Sequence, residues 1–275
     1  MFYRLIALFI FLGCSGTASA DLSRAKARMS EDAKLGKPLI AHVTVALCDN
    51  ASQGIVPVGN GLCDGDVPEA NLYWGALYGV KTYFSKHKDW TQVSAVKPDD
   101  KRILDRIVFR RELAYEGRPV PVYVVAEAWR GKEIRHATTH YLQLISGSQE
   151  TISLSQDLQL HQPAHVFAYI GHNGLMDFTL PSSGIDKNVH STSSAIILAC
   201  KSDPYFAGYL RETETFKLLT TSGFMAPEAY TLEAAITAWF SGGSPNETHL
   251  AAATAYSQYQ KAKLTWSEKL FVFDQ

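Results

Sequence analysis

Four short apolar runs constrain this chain more than any other feature. Pro38 to Leu47 (PLIAHVTVAL), Val120 to Ala128 (VPVYVVAEA), Val166 to Ile170 (VFAYI) and Ala195 to Leu198 (AIIL) are mainly apolar and rich in β-branched residues. A strand with one wet face alternates apolar with polar residues, whereas a strand covered on both faces reads as a near-continuous apolar run. Runs of this kind, interleaved with segments of helical spacing, imply an α/β fold: a three-layer sandwich with a mostly parallel central sheet. In such sheets functional groups gather at the C-terminal strand ends.

The intervening segments supply the helices. Asn71 to Ser85 places Leu72, Ala76, Leu77, Val80 and Phe84 on one helical face with Asn71 as the cap, and Lys132 to Ile145 does the same with Ile134, Tyr141, Leu142 and Ile145. Ala51 to Pro68, with Gly54, Gly59, Gly61 and Gly65, reads as a surface loop. Val93 to Arg102 is polar, Ile107 to Phe109 suggests a strand, and Arg118-Pro119 a turn. Beyond Cys200, Phe216 to Thr220 reads as a strand and Ala226 to Phe240 as a helix opened by Pro227. Glu247 to Gln275 reads mainly as one alanine-rich helix, with a short strand at Leu270 to Phe273.

The N-terminus reads as a signal peptide over residues 1–20: Arg4, then apolar Leu5 to Leu12, then an Ala18-Ser19-Ala20 cleavage site. The protein is therefore expected to be exported, periplasmic or secreted. A second reading takes Phe11-Leu12-Gly13-Cys14 as a lipobox that would leave a lipid anchor at Cys14, although Phe first and Leu second depart from the usual pattern. No later stretch approaches the roughly 18 apolar residues a membrane helix needs, so no transmembrane segment is expected.

Charge excludes one class of partner. Lys plus Arg (26) nearly balances Asp plus Glu (27), leaving no basic field for nucleic acid. Cysteine arithmetic is more informative: with Cys14 set aside, Cys48 and Cys63 are close enough in sequence to staple one loop in an oxidising compartment, and Cys200 is left over. A free thiol in an exported protein is a liability unless it is buried or used.

Two of the apolar runs end in reactive side chains, VFAYI in Gly171-His172-Asn173-Gly174 and AIIL in Ala199-Cys200-Lys201. Parallel neighbours would bring His172 and Cys200 to one sheet edge, where an imidazole could take up a thiol proton or protonate a leaving group. An apolar strand ending in His followed by a small-residue turn, then one ending in Ala-Cys, resembles the caspase-like clan of cysteine peptidases, which includes caspases, legumains, gingipains, clostripains and separases. The resemblance covers residues 38–242. It implies a caspase-like α/β domain over residues 21–245, with 246–275 a C-terminal helical extension packed on the same domain, and an exported cysteine endopeptidase in which His172 and Cys200 are the dyad. It further implies an oxyanion hole from backbone N–H groups at Asn173 or Gly174 and at Cys200, with no cofactor and a peptide or protein as substrate. Asn173 stands where the clan has Gly directly after His. That departure carries the alternative, a catalytically inactive caspase-like binding or scaffolding protein of the cell envelope.

Specificity in the clan comes from the ends of the first two strands and the surroundings of the cysteine strand. Asp49 and Glu127 are the charged groups so placed, Glu127 with Arg130 as a partner, and an acidic pocket would favour Arg or Lys at the cleaved position. Thr221 and Ser222, in the turn after the next strand, are candidates for a pocket wall or equally for a helix entry. Asp177, five residues after His172, reads as a loop acid rather than as the imidazole's partner. His136 and His140 have the i,i+4 spacing of zinc ligands, but the Glu of HExxH is missing and no third ligand suggests itself, so they read as solvated and no metal site is expected.

Overall fold

The structure is a computed structural model that describes residues 15–147, 152–153, 159–160, 163–181 and 190–275. The expected n- and h-regions and Cys14 lie outside the described residues. Helix α1 (Ser15–Lys34) runs through the expected cleavage site at Ala20. It leads into β1 (Leu39–Ala46), every residue of which is buried.

One mixed eight-stranded sheet forms the centre, in the order β10-β9-β8-β7-β1-β4-β3-β2. Its parallel heart consists of β4 (Arg118–Trp129), β1, β7 (Val166–Gly171), β8 (Ser194–Leu198) and β9 (Phe216–Thr221). The four apolar runs mark β1, β4, β7 and β8, and the strand expected at Phe216 to Thr220 is β9. Antiparallel strands close both sides: β3 (Ile103–Tyr115) and β2 (Thr91–Val96) beside β4, and β10 (Phe271–Val272) beside β9.

Period-two geometry sends alternate side chains of β1 into two separate cores. Leu39, Ala41, Val43 and Val45 join Ala25 and Met29 of α1, Phe84 of α2 (Val80–Lys86) and Trp239 of α5 (Ala229–Phe240). Ile40 and Ala46 face α3 (Ile134–Ile145) and α4 (Ser202–Glu212), where Tyr141 and Phe206 are buried. The arrangement is compatible with a three-layer sandwich. Each fully buried large apolar side chain contributes about 1.5–3 kcal/mol. Helix α6 (Pro245–Gln260) packs on α5, and α7 (Leu264–Leu270) leads into β10, which ties the C-terminus to the sheet. A two-residue pair, β5 (Ile152–Ser153) and β6 (Gln159–Leu160), stands apart from the main sheet. No helix among the described residues is long and apolar enough to cross a membrane.

Several expectations need correction. Residues 71–79 form turns, and the helix begins only at Val80, because the Asn71 side chain bridges rather than caps. It accepts from the Cys48 and Tyr73 N–H groups and donates to the Cys48 and Asp64 carbonyls. Leu77, expected inward, is 58% exposed. The chain reverses at Glu116-Gly117, both at positive φ, instead of at Arg118-Pro119, and makes β3 and β4 an antiparallel hairpin. The polar segment after Trp90 is an edge strand. Helix α4 fills a stretch that carried no expectation, and the C-terminal helix breaks at Lys261, which takes a left-handed conformation.

Candidate active site

Strands β7 and β8 pair in parallel with Ile170 opposite Leu198. His172 and Cys200 each stand two residues beyond that last pair, so register alone brings both turns to the same edge. The exit of β7 requires glycine: Gly171 has φ +143°, and a Cβ there would lie 2.4 Å from the Ala46 carbonyl oxygen on β1.

His172 is 6% exposed, and its Nε2 lies 2.7 Å from Oδ2 of Asp177. The short turn Gly174–Met176 folds Asp177 back onto the ring, with the Asp177 N–H donating to the Gly174 carbonyl. Asp177 is thus the imidazole's partner and not a plain loop acid. A carboxylate at Nε2 favours the tautomer that donates to it from that nitrogen. Among the described residues Nδ1 has no hydrogen-bond partner. The Tyr169 hydroxyl, buried beneath, donates to the His172 carbonyl at 2.9 Å and fixes the backbone of the turn.

Among the described residues Cys200 is the free cysteine and is partly exposed, whereas Cys48 and Cys63 are joined in a disulfide. The chain bends sharply after it: Lys201 sits at φ +51° and its N–H donates to the Gly223 carbonyl at 2.7 Å. A non-glycine residue in the left-handed region costs energy and persists only where its surroundings hold it. The bend leaves Cys200 at the mouth of the sheet and starts α4 at Ser202. On its other side the thiol meets Met225, whose N–H and carbonyl lie 3.4 and 3.5 Å from Sγ.

Asn173 binds the two turns together. Its Nδ2 donates to the Cys200 carbonyl at 2.9 Å and its Oδ1 accepts from the Leu175 N–H at 3.2 Å. The departure at this position therefore has a structural use, a side-chain bridge that glycine could not make. The backbone N–H groups expected as oxyanion donors, at Asn173, Gly174 and Cys200, all belong to these bridged turns.

The expected pocket residues fare differently. Glu127 is fully buried on the α3 side of the sheet, so it cannot line a surface pocket. Its partners are Arg106, whose Nε donates at 2.7 Å, and His42 at 3.3 Å, while Arg130 pairs with Asp66 instead. Burial alone would raise the Glu127 carboxyl, but His42, Arg106 and His140 bring it down to about 2. Thr221 is likewise fully buried, its hydroxyl donating to the Ala199 carbonyl and accepting from the Ser202 N–H. It braces the cysteine turn and offers no surface. The exposed Ser222 hydroxyl is directed to the Lys269 and Leu270 carbonyls. Asp49 remains near the sheet edge: its Oδ1 caps the Ala51 N–H, and it lines a cavity of about 490 Å³ with Asp64, Asp66 and Lys132.

His136 is exposed beside Glu133, and His140 packs on Trp129 with ring centroids 4.9 Å apart, so it is not simply solvated. Among the described residues no group of three or more His, Cys, Asp or Glu could hold a metal ion. Sequence reasoning missed Met225 and the partnership of Asp177 with His172. The only sequence signal for the latter was its closeness to His172. No protein-family model and no curated protein matches this chain.

Proposed function

We propose that the protein is an exported cysteine endopeptidase of caspase-like fold that hydrolyses peptide bonds through a thioester. One observation carries the reading: the free thiol and a carboxylate-anchored imidazole leave adjacent parallel strands at equivalent register positions. In the mechanism Cys200 passes its proton to His172 and its sulfur attacks the peptide carbonyl. Backbone N–H groups of the two bridged turns receive the oxyanion. His172 then protonates the leaving amine, and afterwards takes a proton from the water that hydrolyses the thioester. Asp177 keeps Nε2 protonated throughout, so every proton moves through Nδ1. With Glu127 buried and Asp66 paired with Arg130, Asp49 and Asp64 remain to favour Arg or Lys at the cleaved position.

A panel of fluorogenic peptides varying the cleaved residue, run on wild type and Cys200→Ala, tests this. Cleavage of basic-residue peptides by wild type alone supports it, and cleavage that survives the substitution removes Cys200 as nucleophile. A second reading, a catalytically inactive member of the fold, is favoured by the Met225 backbone resting against Sγ. Silence of wild type across the panel would favour it.

A further inference from the structure

The loop between β1 and α2 reaches the aspartate of the candidate site through a backbone group. The Gly54 N–H donates to Oδ2 of Asp177 at 2.9 Å, the same oxygen that lies 2.7 Å from Nε2 of His172. A carboxylate on a partly exposed turn would sample several rotamers, but two N–H groups converging on one oxygen select one of them.

The loop itself is firmly held. The Cys48–Cys63 disulfide closes it, and the Asn50 N–H donates to the Cys63 carbonyl at 3.1 Å. The Asn50 side chain pairs with both backbone groups of Val58. Gln53, immediately before Gly54, is buried: its Nε2 donates to the Leu47 and Gly131 carbonyls at 2.8 and 3.0 Å, and its Oε1 accepts from the Asp49 N–H. The backbone at Gly54 is thereby anchored to the end of β1 and to the start of the α3 segment. Glycine is also a steric requirement here, because a Cβ at this position would lie 2.3 Å from Oδ1 of Asp177.

We propose that Gly54 is a positioning residue for the dyad. Its N–H and its missing side chain hold Asp177 against Nε2 of His172, and the disulfide-closed loop is the frame that holds Gly54. This rests on the thiol-dyad reading above. The contact acts by fixing which imidazole nitrogen carries the proton and where the other one points. A misplacement of about 1 Å in such a constellation costs on the order of a hundredfold in rate.

Gly54→Ala tests it. Gly54 lies outside the left-handed region, so alanine fits the backbone, and the atoms that obstruct its methyl belong to the Asp177 carboxylate, which can swing away. The variant is expected to fold and to lose about tenfold to a hundredfold in kcat, with KM nearly unchanged. In an Asp177→Asn background the same change is expected to cost less than about twofold, since neighbours acting through one contact are not additive. A proton NMR measurement needs no turnover: the downfield imidazole N–H resonance of His172 is expected in wild type and lost in both Gly54→Ala and Asp177→Asn. Loss of that resonance in Gly54→Ala, in a protein that cleaves no peptide, would uphold the positioning and defeat the peptidase reading. An unchanged resonance, or equal losses of kcat in the two backgrounds, would overturn the proposal.

Discussion

Two histidines stand at the two ends of strand β7, and their difference is instructive. His165 precedes the strand and His172 follows it; they are 1% and 6% exposed, and each has Nε2 against an aspartate, Asp32 at 3.1 Å and Asp177 at 2.7 Å. They part at Nδ1. That of His165 accepts the Ile40 N–H at 3.1 Å, so both nitrogens are consumed in joining α1, β1 and β7. That of His172 has no partner among the described residues and stands at the C-terminal edge beside the Cys200 turn. The same side chain is thus a fastening at one end of the strand and a candidate catalyst at the other. What distinguishes them is the unspent nitrogen, and not burial or the carboxylate.

The largest expected effect separates the two ends outright. Cys200→Ala and His172→Ala should each lower kcat/KM by about a thousandfold or more, since loss of a nucleophile or its base removes the covalent route, while leaving thermal unfolding nearly unchanged. His165→Gln should do the reverse. It leaves the buried Asp32 carboxylate short of a partner, so denaturant unfolding should show a loss of about 2–4 kcal/mol, with turnover per folded molecule retained. Equal kinetic damage at both ends would break the comparison.

The two aspartates sharpen it further. Asp177→Asn is expected to cost about tenfold to a hundredfold in kcat by releasing the imidazole, whereas Asp32→Asn should appear in stability alone.

Acid titration gives a smaller, signed effect. Burial pushes His165 down, against the pull of Asp32, from 6.5 to about 4, in keeping with an Nδ1 that must stay unprotonated to accept the Ile40 N–H. The His165 hydrogen bond, aided by Lys37 and opposed by burial, holds Asp32 at about 2. Both native values lie below the unfolded ones, so in this window the unfolded chain binds more protons. The stabilisation is present above pH 6.5 and is lost as pH falls, first toward about 4 through His165 and then toward about 2 through Asp32. Melting temperatures measured from pH 7 to 4 should fall, and His165→Gln should flatten that decline. Smallest of all, Ser222→Ala should change turnover by less than about twofold, because that hydroxyl serves the C-terminal segment.

The sequence made the parallel heart of the sheet legible because strands buried on both faces write an unbroken apolar run. It also carried the juxtaposition of His172 and Cys200, since each directly follows such a run. The edge strand β2 left no trace, because its residues are mostly exposed and follow no alternation. The break in the 71–85 helix depended on where Asn71 spends its amide, a matter of tertiary neighbours. Glu127 was misplaced for a related reason: one-letter spacing gives a strand end but not which face a residue takes, and the α3 face buries it between Arg106 and His42. The link from Gly54 through Asp177 to His172 joins residues far apart in the chain, and no local pattern marks it.

The rate of Cys200 alkylation by iodoacetamide at neutral pH, measured on wild type, on His172→Ala and on the denatured chain, tests the dyad most directly. Wild type should label at least about tenfold faster than the denatured chain, and His172→Ala should lose that advantage. Labelling of wild type no faster than the denatured chain, or unaffected by removal of His172, would contradict the dyad.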